Sequence, residues 1–395
     1  MTDIRINVVV ITVLCGATAF ATAGEPKLAN AKRVFAGAQP VYKRPRQYTA
    51  FTMRITPDGT RLLYSRRTAE TEQADNRNAR YEVVLRDLAS GKETVLAIDP
   101  VDENIFSQWS FFDPAGKRLA IPTFSRTTVT WSVYDIAALM AATGEPKPLV
   151  SGIEGSLGPA KFTADSKALI VSTENVEKHQ LEARLVSLAD PNAKPTALSA
   201  EGWLQSVCPA GGLAVFFVPP GRLAGPPQPG QPWQRPPIRL VLWDLKADKE
   251  LALLPTHPRN SVLDDWETQW TSDGRYLYYY DVEEETGEGQ DRPSLRALTR
   301  VWDAKSGSQA ATIRDAIPVG PGPGAATMVL AKRTLGDSGG ILIHDAASGK
   351  EYILGGSDKK LIHAFAGKVV YAEKPAGADE EVVFVADIIA PEEGK

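Results

Sequence analysis

Ser338 lies in Gly336-Asp337-Ser338-Gly339-Gly340, where flanking glycines leave a hydroxyl open for nucleophilic attack. A serine attacks only if a histidine takes its proton and a carboxylate orients that histidine. The chain has four histidines, His179, His257, His344 and His363, widely separated in sequence. A second set is acidic: Asp264, Asp265 and Glu267 around Trp266, with Glu103 elsewhere. Converging carboxylates of this kind hold a divalent cation that activates water, the chemistry of a metal-assisted hydrolase or lactonase. Trp233 and Arg235 stand in a proline-rich stretch, and with Trp266 they are side-chain types that anchor a bound partner.

The serine pentapeptide resembles the one around the nucleophile of chymotrypsin-like proteases, but its surroundings do not. That family's histidine stands in Thr-Ala-Ala-His-Cys, whereas here the contexts are Glu177-Lys178-His179-Gln180 and Pro255-Thr256-His257-Pro258. No helix follows the serine, as a hydrolase nucleophile elbow would require. Cys-x-x-Cys, His-Glu-x-x-His, phosphate-binding and calcium-hand loops are missing from the chain. The pentapeptide is therefore expected to be a hairpin loop, and His344 and His363 to be structural residues on strands. No resident cofactor is called for, a divalent cation at the acidic set being the alternative.

Residues 1–23 read as a secretory signal: Arg5, an apolar run over 6–20, then Ala21-Thr22-Ala23, where signal peptidase cuts. The protein is thus expected to be exported, periplasmic or secreted, with no membrane span after cleavage. Cys15 leaves with the signal, so Cys208 has no partner for an internal disulfide and the core alone must hold the fold. A net charge of −4 with both signs interspersed argues against nucleic acid as a partner. A monomer is expected.

The elements that must position these residues are repeats. A strand ending in an acidic mark recurs at Asp87, Asp135, Asp244, Asp303, Asp345 and Asp387, with Ser187 in the same role. Successive marks are 48, 52, 57, 59, 42 and 42 residues apart. Between them falls a turn joining two apolar strands, as in Thr56-Pro57-Asp58-Gly59, Thr163-Ala164-Asp165-Ser166 and Thr271-Ser272-Asp273-Gly274. After each mark comes a polar turn such as Ala89-Ser90-Gly91-Lys92, then one more strand. Each unit is four antiparallel strands, a to d, and seven such units predict an all-β, seven-bladed β-propeller over residues 47–390. The strongest competing helix is residues 136–143, about two turns long.

These two turns resemble the WD-like repeats of TolB-type bacterial propellers, found in the periplasmic Tol translocation protein and in relatives of prolyl oligopeptidase. Trp243-Asp244 and Trp302-Asp303 are similar to the Trp-Asp dipeptide of the eukaryotic repeats, without the Gly-His pair that opens those. The resemblance implies the propeller fold and says little about activity, because propellers host unrelated functions.

The seventh unit lacks its outer strand, and residues 391–395 are a short tail. A strand from the segment 24–46, placed between Arg33 and Tyr48, is expected to close the ring and remove two open sheet edges. With tight a–b and c–d turns on one face, the long insertions 66–81, 219–237 and 281–292 fall on the other. That looped face, with Trp266, Asp264, Asp265, Glu267, Glu103, Trp233 and Arg235, is the expected ligand-binding site. It would receive a protein or an envelope glycan.

Overall fold

The computed structural model describes residues 25–33, 53–67, 81–96, 111–124, 129–142, 146–155, 160–175, 180–190, 192–218, 239–257, 268–285, 294–333, 339–365, 367–374 and 382–389. They form seven four-stranded antiparallel sheets, each made of strands consecutive in sequence except one. The exception is the seventh, in which the first described strand, Lys27–Arg33, pairs with the last described one, Val382–Ile389. The one described helix, α1 (Ile136–Ala141), fills the c–d turn of blade 2, with the Asp135 carboxylate capping its N-terminus.

Seven apolar clusters hold the ring, one per blade interface. Leu62 packs between blades 1 and 7 while its neighbour Leu63 packs between blades 1 and 2. Alternate side chains of a strand point to opposite faces, so a sheet covered on both sides needs strands that are apolar throughout. This is why strand b reads Ala214-Val215-Phe216-Phe217 in blade 4 and Tyr276-Leu277-Tyr278-Tyr279 in blade 5, all eight residues being buried. The cluster joining Met53, Ile55 and Val84 to Val370, Val383 and Val385 closes the circle between the first and last blades.

The repeated turns are held by side chain to backbone bonds. In blade 1, Thr56 Oγ1 donates to Asp58 at 2.5 Å and accepts the Arg61 amide at 2.9 Å. Thr163 with Asp165 and Thr271 with Asp273 repeat the arrangement. The marker aspartates start the c–d turns, Asp87 accepting from the amide and hydroxyl of Ser90 and Asp345 from the Ala347 amide and the Ser348 hydroxyl. Asp387, which has no c–d turn to start, instead accepts from Lys368 and from Asn30 of the closing strand.

Ring closure by an N-terminal strand is as expected, but the strand lies earlier than the segment between Arg33 and Tyr48. The reason is that Lys27–Arg33 is an outer strand, exposed over most of its length, with a bulge after Ala29 and Asn30 at a φ of 53°. Such a strand carries no apolar alternation. A second correction concerns the acidic insertion 281–292. Strand b of blade 5 runs from Tyr276 to Glu285, and Asp281 is fully buried, accepting the His257 amide and the Arg300 guanidinium. Residues 286–293 lie outside the described residues.

Candidate functional site

The inner strand a of each blade lines a central channel: Met53–Ile55, Phe111–Phe112, Lys161–Phe162, Trp203–Val207, Thr268–Trp270, Ala316–Pro321 and Lys359–Phe365. The cavity they enclose has a volume of about 620 Å³ and contacts residues of every blade. That lies within the usual range for small-ligand pockets. Where the channel meets the a–b turns, its wall is the first residue after strand a or its neighbour: Pro57, Pro114, Pro209 and Pro323, with Ala164 and Ser272 between. Proline fixes φ and has few ways to rearrange, so this mouth is a stiff collar.

Farther in, the lining is mixed. Phe111 of blade 2 is 6% exposed, and its ring carries Lys161 of blade 3 with Nζ 3.8 Å from the centroid. Arg54 of blade 1 approaches the same ring, with Cζ at 5.6 Å. His363 of blade 7 is half-buried, and its Nδ1 accepts the Ile55 amide at 3.3 Å. Burial and the charge of Arg54 push its imidazole well below the usual range, so the ring is neutral. With Nδ1 accepting, the proton sits on Nε2.

The other half of the wall is less polar. Ser206 receives bonds from Thr268 Oγ1 at 2.6 Å and Trp270 Nε1 at 3.2 Å, which pins blade 4 to blade 5. Cys208 is buried, its Sγ donating to the Gly274 carbonyl at 3.4 Å, and burial raises its thiol. Between blades 6 and 7 the backbones almost touch: a Cβ on Gly320 would lie 1.9 Å from the Ala364 carbonyl oxygen.

Trp266, Asp264, Asp265, Glu267, Glu103, Trp233 and Arg235 lie outside the described residues. Thr268, which follows Glu267 in the chain, is described and lines the channel. Ser338 is also outside, but the last two residues of its pentapeptide are described. A Cβ on Gly339 would lie 2.1 Å from the Ser357 carbonyl oxygen, and the Gly340 amide donates to the Lys359 carbonyl at 2.7 Å with φ at 116°. These two glycines thus have a packing role against blade 7.

His344 is buried with its Nδ1 2.6 Å from the Tyr278 hydroxyl, across the interface of blades 5 and 6. Among the described residues no group of three or more His, Cys, Asp or Glu side chains gathers to hold a metal.

Sequence reasoning passed over Arg54, Phe111, Lys161 and Gln269. A signal for them exists: each stands two residues before the first residue of its a–b turn, at Thr56, Asp113, Thr163 and Thr271. Stacking the repeats on that turn brings the four into one column at the channel wall.

No protein-family model matches the chain, and no curated protein matches it. Solved structures do match. Oligogalacturonate lyase in complex with manganese superposes with a TM-score of 0.56 at 13% identity, over 93% of this chain and 96% of that one. The β-propeller domain of the Trilobed protease from Pyrococcus furiosus, described as having an open velcro topology, gives 0.53 at 12% identity, over 95% and 97%. The tricorn protease gives 0.51 at 11% identity, over 88% of this chain but 34% of that one. At such identities the likeness defines the class of protein, a seven-bladed β-propeller, and nothing finer.

Proposed function

We propose that this chain is an exported binding propeller that receives a protein or glycan ligand at its central channel and looped face. The observation that carries the reading is the channel, a cavity of about 620 Å³ in which Arg54, Lys161, Gln269 and His363 project among the rings of Phe111, Phe112 and Trp270. A concave, largely apolar site with a few convergent polar groups is the form a ligand pocket takes. The signal-like residues 1–23 and the absence, among the described residues, of a helix long and apolar enough to cross a membrane agree with an exported protein.

The test is crosslinked capture from envelope extract, with three forms of the protein. One is the mature chain, one has residues 68–80 and 286–293 replaced by tight turns, and one carries Gln269→Trp and Val319→Trp to fill the channel. The reading expects a ligand held by the first and lost by at least one of the other two. Equal capture by all three would overturn it.

A further inference from the structure

We infer that the channel takes a neutral sugar, held along one edge by Ser206, Thr268 and Gln269 of blades 4 and 5 and across from them by His363 of blade 7. The inference rests on the reading of the channel as a ligand site and narrows the ligand to an uncharged, polyhydroxylated ring.

Strand register puts Ser206, Gln269 and His363 at one height. Leu213, Tyr276 and Lys368 of strand b pair with the marker aspartates Asp244, Asp303 and Asp387, and two residues further on Val215, Tyr278 and Val370 pair with Ser206, Gln269 and His363. All three line the cavity, as does Thr268. Each place has hydrogen-bonding capacity left over. Thr268 Oγ1 donates to Ser206 Oγ at 2.6 Å, and Trp270 Nε1 donates to the same oxygen at 3.2 Å. The two hydroxyls share one bond, so one hydroxyl proton has no acceptor among the described residues, although Ser206 is 7% and Thr268 5% exposed. The Ile55 amide occupies Nδ1 of His363, which leaves Nε2–H to donate. The Gln269 carboxamide, both donor and acceptor, has no partner among the described residues.

The charged groups of the wall are committed elsewhere. Arg54 and Lys161 are engaged in further interactions of their own, and Asp113 Oδ1 accepts the amides of Lys117 and Arg118 at 2.7 and 2.8 Å within its turn. What is left to read a ligand is neutral: a hydroxyl pair, a carboxamide and an imidazole N–H. An ion would leave water without gaining a counter-charge that is not already engaged. A sugar hydroxyl donates and accepts at one oxygen, as the hydroxyl pair and the carboxamide do, and two adjacent hydroxyls match the nitrogen and oxygen of one amide. The C–H faces of the ring need apolar walls, which Val207, Val319 and Pro321 supply. A peptide, by contrast, presents its polar groups in a line along the chain. Groups set around a channel at one height suit a ring better.

Isothermal titration of the mature protein with glucose, galactose and mannose, with their uronates, and with N-acetyl-tetraalanine amide as a neutral peptide tests this. At least one neutral sugar should bind, its uronate should bind no more tightly, and the peptide should not bind. Gln269→Leu should weaken the sugar about tenfold, the worth of one or two hydrogen bonds. It removes a side chain that holds nothing else among the described residues, so its melting temperature should match the parent's. His363→Phe, which keeps a flat ring and loses the Nε2–H, is the second variant and should also weaken the sugar about tenfold. The inference is overturned if no sugar binds, if a uronate binds more tightly than its neutral sugar, if the peptide binds in place of the sugars, or if both variants bind like the parent. Capture that depends on an open channel would survive any of those results, so failure of the sugar and failure of the binding reading are separate outcomes.

Discussion

Gly320 is required by a contact, not by its backbone angle. Its missing Cβ would overlap the Ala364 carbonyl oxygen at 1.9 Å, where neither backbone can yield without parting blades 6 and 7. Gly320→Ala should cost about 3 kcal/mol in urea unfolding, at the upper end of overpacking effects. A change below about 0.5 kcal/mol, the size of a neutral surface substitution, would refute the contact. Asp248 is the reverse case. Blades 1, 5 and 6 have Gly91, Gly307 and Gly349 at positive φ in their c–d turns, and blade 4 has Asp248 at a φ of 48°. The backbone strain is offset by its carboxylate, which accepts the Ser199 amide and hydroxyl of blade 3 and the indole N–H of Trp243. Asp248→Ala keeps the strain and loses the bonds, so it should be less stable than Asp248→Gly, which loses both.

Titration follows from two histidines. Burial holds His344 below its ordinary value of 6.5, and the Tyr278 hydroxyl bonds to its neutral ring. The unfolded chain binds that proton more readily, so the contribution is complete above about pH 6.5 and is lost as the pH falls toward the folded value. His363 acts in the same direction. Aspartates held low, Asp303 by Arg275 and Asp387 by Lys368 and Asn30, lose their contribution only below the ordinary carboxylate range. The melting temperature should fall between pH 7 and pH 4.5, and His344→Gln should flatten that slope. Equal slopes for parent and variant would contradict the assignment.

At the scale of elements, the closing strand is the most exposed to test. Lys27–Arg33 joins the first residues described to the last blade, and it covers the edge of Val382–Ile389. Deleting residues 24–33 should lower the melting temperature on the order of 10 °C, from several lost backbone hydrogen bonds and an opened edge. An unchanged melt would mean the ring does not depend on closure. Blade count, strand order and turn positions were legible in the sequence because Thr-x-Asp recurs at Thr56, Thr163 and Thr271 and Asp-x-x-Ser at Asp87, Asp303 and Asp345, and these side chains bond the turns' own amides. Lys27–Arg33 was not legible at its true place because an outer strand with all seven residues at least partly exposed to solvent on an irregular backbone has no apolar period to read. Residues 281–285 were misread for a related reason: Glu283, Glu284 and Glu285 look like a loop, yet Arg296 of strand c and Arg314 of strand d in the same blade pair with Glu285 and Glu283.

For the whole molecule, the ring gathers side chains that are about 50 residues apart in sequence into one wall. Arg54, Phe111 and Lys161 have no local motif in common, and only the superposition of three blades makes them neighbours. A sequence scanned for catalytic patterns therefore points to long loops and acidic runs, while the described cavity is built by short inner strands. The role proposed for the ring depends on this cavity holding a ligand. Native mass spectrometry of the protein purified from its native source, beside the Gln269→Trp and Val319→Trp variant, is the sharpest test. A bound mass is expected on the parent and not on the filled form. The same species on both, or on neither, would contradict it.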